Sequence, residues 1–389
     1  MDKIVKQHIK EYGQPPSVIV TVPGICTLLG SYADACRGWS IVIPDKATLS
    51  VAISLRDDQM VRLYNATLND RKRFSLSNVK FRKEDRWGNF PKGVISVMVN
   101  EATALVGMDI TLEGSLLYAD NQMISTASAL ATTLAIDALF GQELSLTSQI
   151  RITYQANTIF NNERCKISDM LTMINAQEGS ALFFDLQHVT YKEIPFPFGD
   201  ENGQYIAIIV DSKISPNAMR EEIQYKRKAI DHAFDELRKH KGGGFIRDFP
   251  ESDISERVIP LGEDERHICE YVLSESRLAN DAAGLLTIKD APLFGKVLNR
   301  VQAGLRDRLE VTCPEVDWLT KRAGEMGGVL GAAQVSNGFA GNIMVLLSKE
   351  MLSSYIGRLE EYEHIFGFHP RWYVLSGNEA AKIVLTDRH

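Results

Sequence analysis

Alternation of apolar and polar residues marks the start of the chain. SVIVTV (17–22), SIVIP (40–44), TLSVAISL (48–55) and MVRLYNA (60–66) are β-branched and keep a period of two, which predicts strands. A helical pattern over Gly93–Val106 follows, and DITLEGSLLY (109–118) alternates again. From Met123 the pattern changes period: Met123, Ala127, Leu130, Leu134 and Ala138 recur at spacings of four, three, four and four, which predicts a helix over 123–140 with one stripe on the core. ALFFDL (181–186) reads as a further strand. The Pro/Gly-rich IPFPFGDENGQ then suggests a boundary, giving expected domains of 1–195 and 196–389.

The second half opens on the strand YIAIIVDS and a long charged helix over 217–240, which the glycines of KHKGGGF end. Two or three helices are expected over 264–325, one starting at the proline of TCPEVDW. The strand NIMVLLS, a helix over 353–364 and the segment RWYVL close the chain, with no repeat of fixed period.

A chain of 389 residues, 44% of them hydrophobic, can bury two cores. The formal net charge of −7 argues against general binding to nucleic acid or anionic membranes. The five cysteines (Cys26, Cys36, Cys165, Cys269, Cys313) form no CxxC pair, so neither a disulfide framework nor a cysteine-rich metal site is expected. The first residues have no signal-peptide core and the apolar runs look too short to span a membrane. The expected compartment is the cytoplasm.

The segment DITLEGSLLYADNQMISTASA poses the chemical question. Strand, turn and helix N-terminus in that order often cradle phosphate, because the first helical N–H groups lack partners and carry partial positive charge. The turn, however, contains no glycine.

Seven collinear segments resemble the galactokinases of the GHMP kinase superfamily. PGICTLLGSYADACRG (23–38) is similar to PGRVNLIGEHTDYNGG, and WGNFPKGV (87–94) to WxNYxKGV. ADNQMISTASA (119–129) lies over PxGxGLSSSAS, CKISDM (165–170) over CGIMDQ, and IQYKRKA (223–229) over SEYxxRR. FGKVLNRVQAGLRDRLEVTCPEVDWL (294–319) and GAAQVSNGFAGN (331–342) echo the late signatures, the latter matching GARMTGAGFGGC. The resemblance implies an α+β fold of two GHMP-kinase-like domains with the site in the cleft between them.

Carried over residue by residue, the resemblance puts the catalytic aspartate on Asp169 and the sugar-orienting aspartate on Asp34, which Arg37 could equally pair as a surface loop residue. Tyr225 takes the place of a sugar-contacting tyrosine and Trp87 of a tryptophan near the adenine, although either type also suits a packed core. Ser125 and Thr126 keep two nucleotide-binding hydroxyls, while Ala127 replaces a third. Several family residues are missing. Ile25 stands where an arginine neutralises the transferred phosphate, a loss worth about 10³-fold in rate, and it also suits a core strand. Ser31 and Tyr32 replace a Glu-His pair, and Lys166 replaces a glycine that meets the sugar. Lys166, on one helix face with Asp169, either fills the sugar space, the favoured reading, or substitutes for the missing cation.

In the phosphate loop, Ala119, Asn121 and Met123 replace the proline and two glycines, and Ser336 and Ala340 replace two further glycines beside the retained Gly338 and Gly341. Asp120 adds a charge that repels a unit negative charge about 5 Å away by roughly 3 kcal/mol. These changes lead to the expectation of a protein that has lost efficient ATP-dependent sugar phosphorylation and serves as a sugar- or partner-binding regulator. The alternative is an active galactokinase or related GHMP small-molecule kinase, making sugar 1-phosphate with altered substrate preference. Only that alternative calls for Mg-ATP, and no protein metal site is expected.

Overall fold

A computed structural model describes residues 2–101, 103–118, 121–215, 219–239, 245–250, 254, 262–335 and 341–385. The chain forms two compact units, one of Met1–Ile25, Pro44–Ala176 and Asn378–His389, the other of Cys26–Ile43 and Gln177–Gly377. This differs from the expected division at 195/196. The hairpin of β6 (Ser180–Asp185) and β7 (Thr190–Pro195) falls in the second unit, because β6 pairs with Trp39–Val42 and its apolar residues Ala181 and Phe183 join that unit's core.

In the first unit, α1 (Asp2–Tyr12) precedes β1 (Val18–Leu29), β2 (Trp39–Leu55), β3 (Met60–Asn65), β4 (Asp70–Ser75) and α2 (Asn89–Asn100). β5 (Met108–Gly114), α3 (Asn121–Phe140), α4 (Leu146–Gln155) and α5 (Ile167–Asn175) follow, and β12 (Lys382–Leu385) returns from the far end. The strand order is β12-β1-β2-β5-β3-β4, with β3 and β5 parallel. The strands read from the sequence are present, but β5 ends at Gly114, short of the expected Tyr118. Ser115–Tyr118 instead form one turn of 3-10 helix. By length and composition, residues 122–140 of α3 could cross a membrane, contrary to the expectation drawn from the apolar runs. They are mostly buried inside the protein, as in the core helix of a globular domain.

Helix α1 is fixed to this sheet by residues one turn apart. Ile4 packs with Ile19 and Ala52, and the Tyr12 hydroxyl donates to the carbonyls of Arg62 and Ile110 at 3.2 and 3.1 Å. Between them, fully buried His8 lies 2.9 Å from both Thr111 Oγ1 (through Nδ1) and Ser54 Oγ (through Nε2). Hydroxyls can donate or accept, so a neutral ring satisfies both nitrogens. Burial lowers the His8 pKa to about 4, against a smaller upward pull from Asp109, itself paired with Arg56 and Arg62. The unfolded chain takes up this proton near the ordinary histidine value of about 6.5, whereas the folded chain resists it until about 4. The stabilisation is therefore complete above the higher value and is lost as pH falls toward the lower, at a cost of up to about 3 kcal/mol. Denaturant unfolding at pH 7.5 and 4.5 should show wild type losing more stability than His8→Gln, which keeps hydrogen-bonding capacity without titrating. Equal losses would contradict this account.

The second unit carries a four-stranded sheet, β11-β8-β10-β9, from β8 (Tyr205–Asp211), β9 (Val329–Gln334), β10 (Asn342–Ser348) and β11 (Arg371–Val374). The run YIAIIVD is continuously apolar because both faces are covered. Ala207 and Ile209 join α6 (Arg220–Lys239), α7 (Glu263–Thr287) and α8 (Ala291–Asp307) in one core. Ile206, Ile208 and Val210 join α9 (Pro314–Gly324) and α10 (Leu352–Phe366) in another. Gly295 on α8 and Gly331 on β9 bring backbones together, since a Cβ on Gly331 would sit 2.1 Å from the Gly295 carbonyl oxygen.

Candidate functional site

The candidate residues fall into two groups, one in each unit. In the first unit, Asp169 lies in the first turn of α5 and is 5% exposed. Its Oδ1 lies 3.3 Å from the Ser168 hydroxyl and its Oδ2 3.5 Å from Nε2 of Gln122, in the first turn of α3. The first turn of a helix is the positive end of its macrodipole, so Asp169 sits where a carboxylate interacts favourably with the backbone. The candidate catalytic carboxylate thus lies beside the start of α3, the helix that follows the glycine-free turn.

Lys166 departs from expectation. It is the extended residue before α5 (φ −104°, ψ 137°), so the same-face helical spacing assumed for it and Asp169 does not apply. Ser125 and Thr126 are fully buried. The Ser125 hydroxyl donates to the Gln122 carbonyl at 3.0 Å, and the Thr126 hydroxyl donates to Cys165 Sγ at 3.7 Å. Cys165 also accepts from Asn157 Nδ2 at 3.6 Å, and burial pushes its thiol up to about 12, so it acts as a neutral tie between α3, the Asn157 turn and the approach to α5. Ala127 is fully buried, Ile25 is 8% exposed within β1, and Trp87 is 7% exposed with its indole N–H donating to Asp70 Oδ2 at 2.8 Å. Trp87 thus serves packing in this arrangement. Ala119 and Asp120, and Ser336, Gly338 and Ala340 of the last signature, lie outside the described residues.

In the second unit, residues 30–38 form a run of tight turns beginning at Gly30. Its φ of +77° requires glycine, and a Cβ at that position would lie 2.3 Å from the Trp39 carbonyl oxygen. Glu275 of α7, 2% exposed, accepts from the N–H groups of Gly30 and Ser31 at 3.0 and 3.2 Å. Ser276 accepts from the Trp39 N–H at 2.8 Å. From α6, Arg227 donates to the Ser31 carbonyl at 3.1 Å, stacks 4.1 Å from the centre of the Tyr32 ring and lies 3.6 Å from Asp34 Oδ1. Asp34 is therefore held by Arg227 rather than by its neighbour Arg37. Tyr32, which takes the place of the family histidine, is 1% exposed beneath the guanidinium.

Tyr225 is 75% exposed. The inward face of α6 runs through Arg227, Ile230, Ala233, Phe234 and Leu237, and a residue two positions from Arg227 points elsewhere.

Sequence reasoning missed Gln122, Arg227 and Glu275. Glu275 carried a legible signal. Ile268, Val272, Glu275, Ala279, Ala282 and Leu286 form one buried stripe at helical spacing, and a lone acid on such a stripe needs a specific partner.

No family model matches the chain. It is 29% identical over 396 residues to a Treponema pallidum protein whose galactokinase name is itself provisional, a match covering 99% of this chain and 97% of the relative. The galactokinase of Clostridium perfringens is 24% identical over 382 residues, covering 97% of each. The crystal structure of Lactococcus lactis galactokinase complexed with galactose matches with a TM-score of 0.89 at 19% identity, covering 98% of this chain and 99% of that one. The chain has the galactokinase fold. Methanococcus jannaschii mevalonate kinase, with a TM-score of 0.64 at 15% identity over 92% of this chain and 98% of its own, extends the likeness to other GHMP kinases.

These likenesses overturn the expectation of a regulator without kinase activity. A galactokinase-like chain that matches named galactokinases from end to end, with the candidate catalytic aspartate retained and buried, fits the active alternative better. The error lay in weighing side chains above backbone. A helix N-terminus can offer backbone N–H groups to an anion after many kinds of turn, so the lack of glycine does not by itself exclude one.

Proposed function

We propose that this chain is an ATP-dependent sugar kinase of the galactokinase type, forming a sugar 1-phosphate, with a sugar preference altered by Ser31 and Tyr32. The observation that carries the reading is the 3.5 Å approach between Asp169 Oδ2 and Gln122 Nε2, which sets the proton acceptor beside the first turn of α3. Asp169 takes the proton of the attacking sugar hydroxyl. That oxygen bonds to the γ-phosphorus, the bond to the β,γ-bridging oxygen breaks, and ADP leaves with its electron pair. The N–H groups of α3 hold phosphate oxygens. Asp34 accepts hydrogen bonds from sugar hydroxyls.

Mg-ATP supplies the transferable phosphoryl group and divalent charge when bound. With Ile25 in place of an arginine, a lower turnover than in an arginine-bearing kinase follows. All five cysteines are buried and none is joined in a disulfide.

The test is ADP release by the purified protein with Mg-ATP and a panel of aldohexoses and aminosugars, with the product read by phosphorus NMR. Sugar-dependent ADP release with a sugar 1-phosphate resonance is expected. Folded protein giving no sugar-dependent release with any of them would overturn the proposal.

A further inference from the structure

We infer that Arg227 is a positioning residue that fixes the 30–38 turn and aims the outer oxygen of Asp34 at a substrate hydroxyl, an inference that rests on the kinase reading above. Three contacts from one buried guanidinium converge on that turn: the Ser31 carbonyl, the Tyr32 ring and Asp34 Oδ1. Arg227 is 7% exposed, so it acts from behind the turn. Asp34 Oδ1 is sealed from solvent while the side chain keeps 30% of its surface exposed, which turns the Oδ2 edge outward. The Arg227 charge, 3.6 Å from Oδ1, draws that oxygen inward and so favours the other edge of the carboxylate facing out.

The same geometry explains how the Glu-His pair can be absent. Tyr32 is spent as the platform for Arg227, and the Ser31 backbone is held at both ends, its N–H by Glu275 and its carbonyl by Arg227. Recognition by this turn therefore rests mainly on the Asp34 carboxylate. The substrate class that fits is a neutral sugar read mainly through hydroxyls on one edge, with less discrimination among epimers than a turn bearing the Glu-His pair would give.

Arg227→Met, Arg227→Lys, Asp34→Asn and the double variant Arg227→Met/Asp34→Asn separate positioning from general structure. With the best substrate of the sugar panel, Arg227→Met is expected to raise the sugar KM about tenfold while leaving the ATP KM near wild type. Arg227→Lys, which keeps the charge but not the fork, is expected to fall between, and it carries the test if Arg227→Met does not fold. The double variant is expected to be no worse than Asp34→Asn alone. Amide exchange in residues 30–38 should quicken in Arg227→Met while the β8 and β10 amides keep their protection. Additive effects, equal rises in both KM values, or unchanged exchange in the turn would each overturn the inference. If wild type phosphorylates no sugar, the kinase reading fails by itself, and the exchange measurement still decides whether Arg227 holds the turn.

Discussion

The Asp169→Asn variant is expected to lose about 10²–10⁴-fold in kcat for sugar phosphorylation, the usual range for removing a positioned proton acceptor. Asparagine is nearly isosteric and can keep contacts with Ser168 and Gln122, so the loss should fall on the chemical step. Removing a charge from the first turn of α5 costs about 0.5–1 kcal/mol of stability, which leaves the protein folded. Steady-state kinetics should show kcat reduced with the KM for ATP little changed, and thermal unfolding should show a small shift at most. If turnover persists within a few-fold of wild type, Asp169 is not the proton acceptor, and the reaction runs through a loose transition state that needs none.

The second large effect concerns stability. Glu275 is a buried carboxylate accepting two backbone N–H groups, at Gly30 and Ser31. Its charge, after burial itself, also helps to keep the neighbouring Tyr271 hydroxyl protonated well above the ordinary tyrosine range. Glu275→Ala removes the acceptor and strands two donors away from water, at a cost of about 3–5 kcal/mol. Glu275→Gln retains one acceptor oxygen and should cost less than half as much. Denaturant unfolding measures both, and an alanine variant as stable as wild type would show that water or another group replaces the carboxylate. Because the turn carries Asp34, Glu275→Ala should also weaken sugar binding at temperatures where it remains folded.

Much of the scaffold was legible because single elements declare their own surroundings. YIAIIVD reads as a strand buried on both faces, and the Met123–Ala138 stripe reads as a core helix. Asp169 and Asp34 stand out in the sequence only through the resemblance of CKISDM and SYADACRG to family motifs. What escaped were the partners that chain distance conceals. Glu275 meets Gly30 from 245 positions away, and nothing near either residue announces the other. Tyr225 and Arg227 stand two positions apart in one motif, yet a helix sends them in different directions, and only the buried sequence of Ile230, Ala233 and Leu237 fixes which one faces inward. Trp87 was legible as a stacking type, but its N–H is committed to Asp70, a contact that depends on how the chain between them folds back. The division into units was hidden for a similar reason, since each is assembled from segments far apart in the chain.

That assembly has a consequence for biosynthesis. β12 pairs Lys382–Leu385 with Val18–Thr21, so the strands of the first unit remain short of a member until residues 382–385 have been made. The second unit must meanwhile recruit Cys26–Ile43, made long before its own sheet exists. Closure of such long loops slows folding and leaves sticky intermediates on the way, so a nascent chain of this kind should depend on chaperones until residues 382–385 emerge.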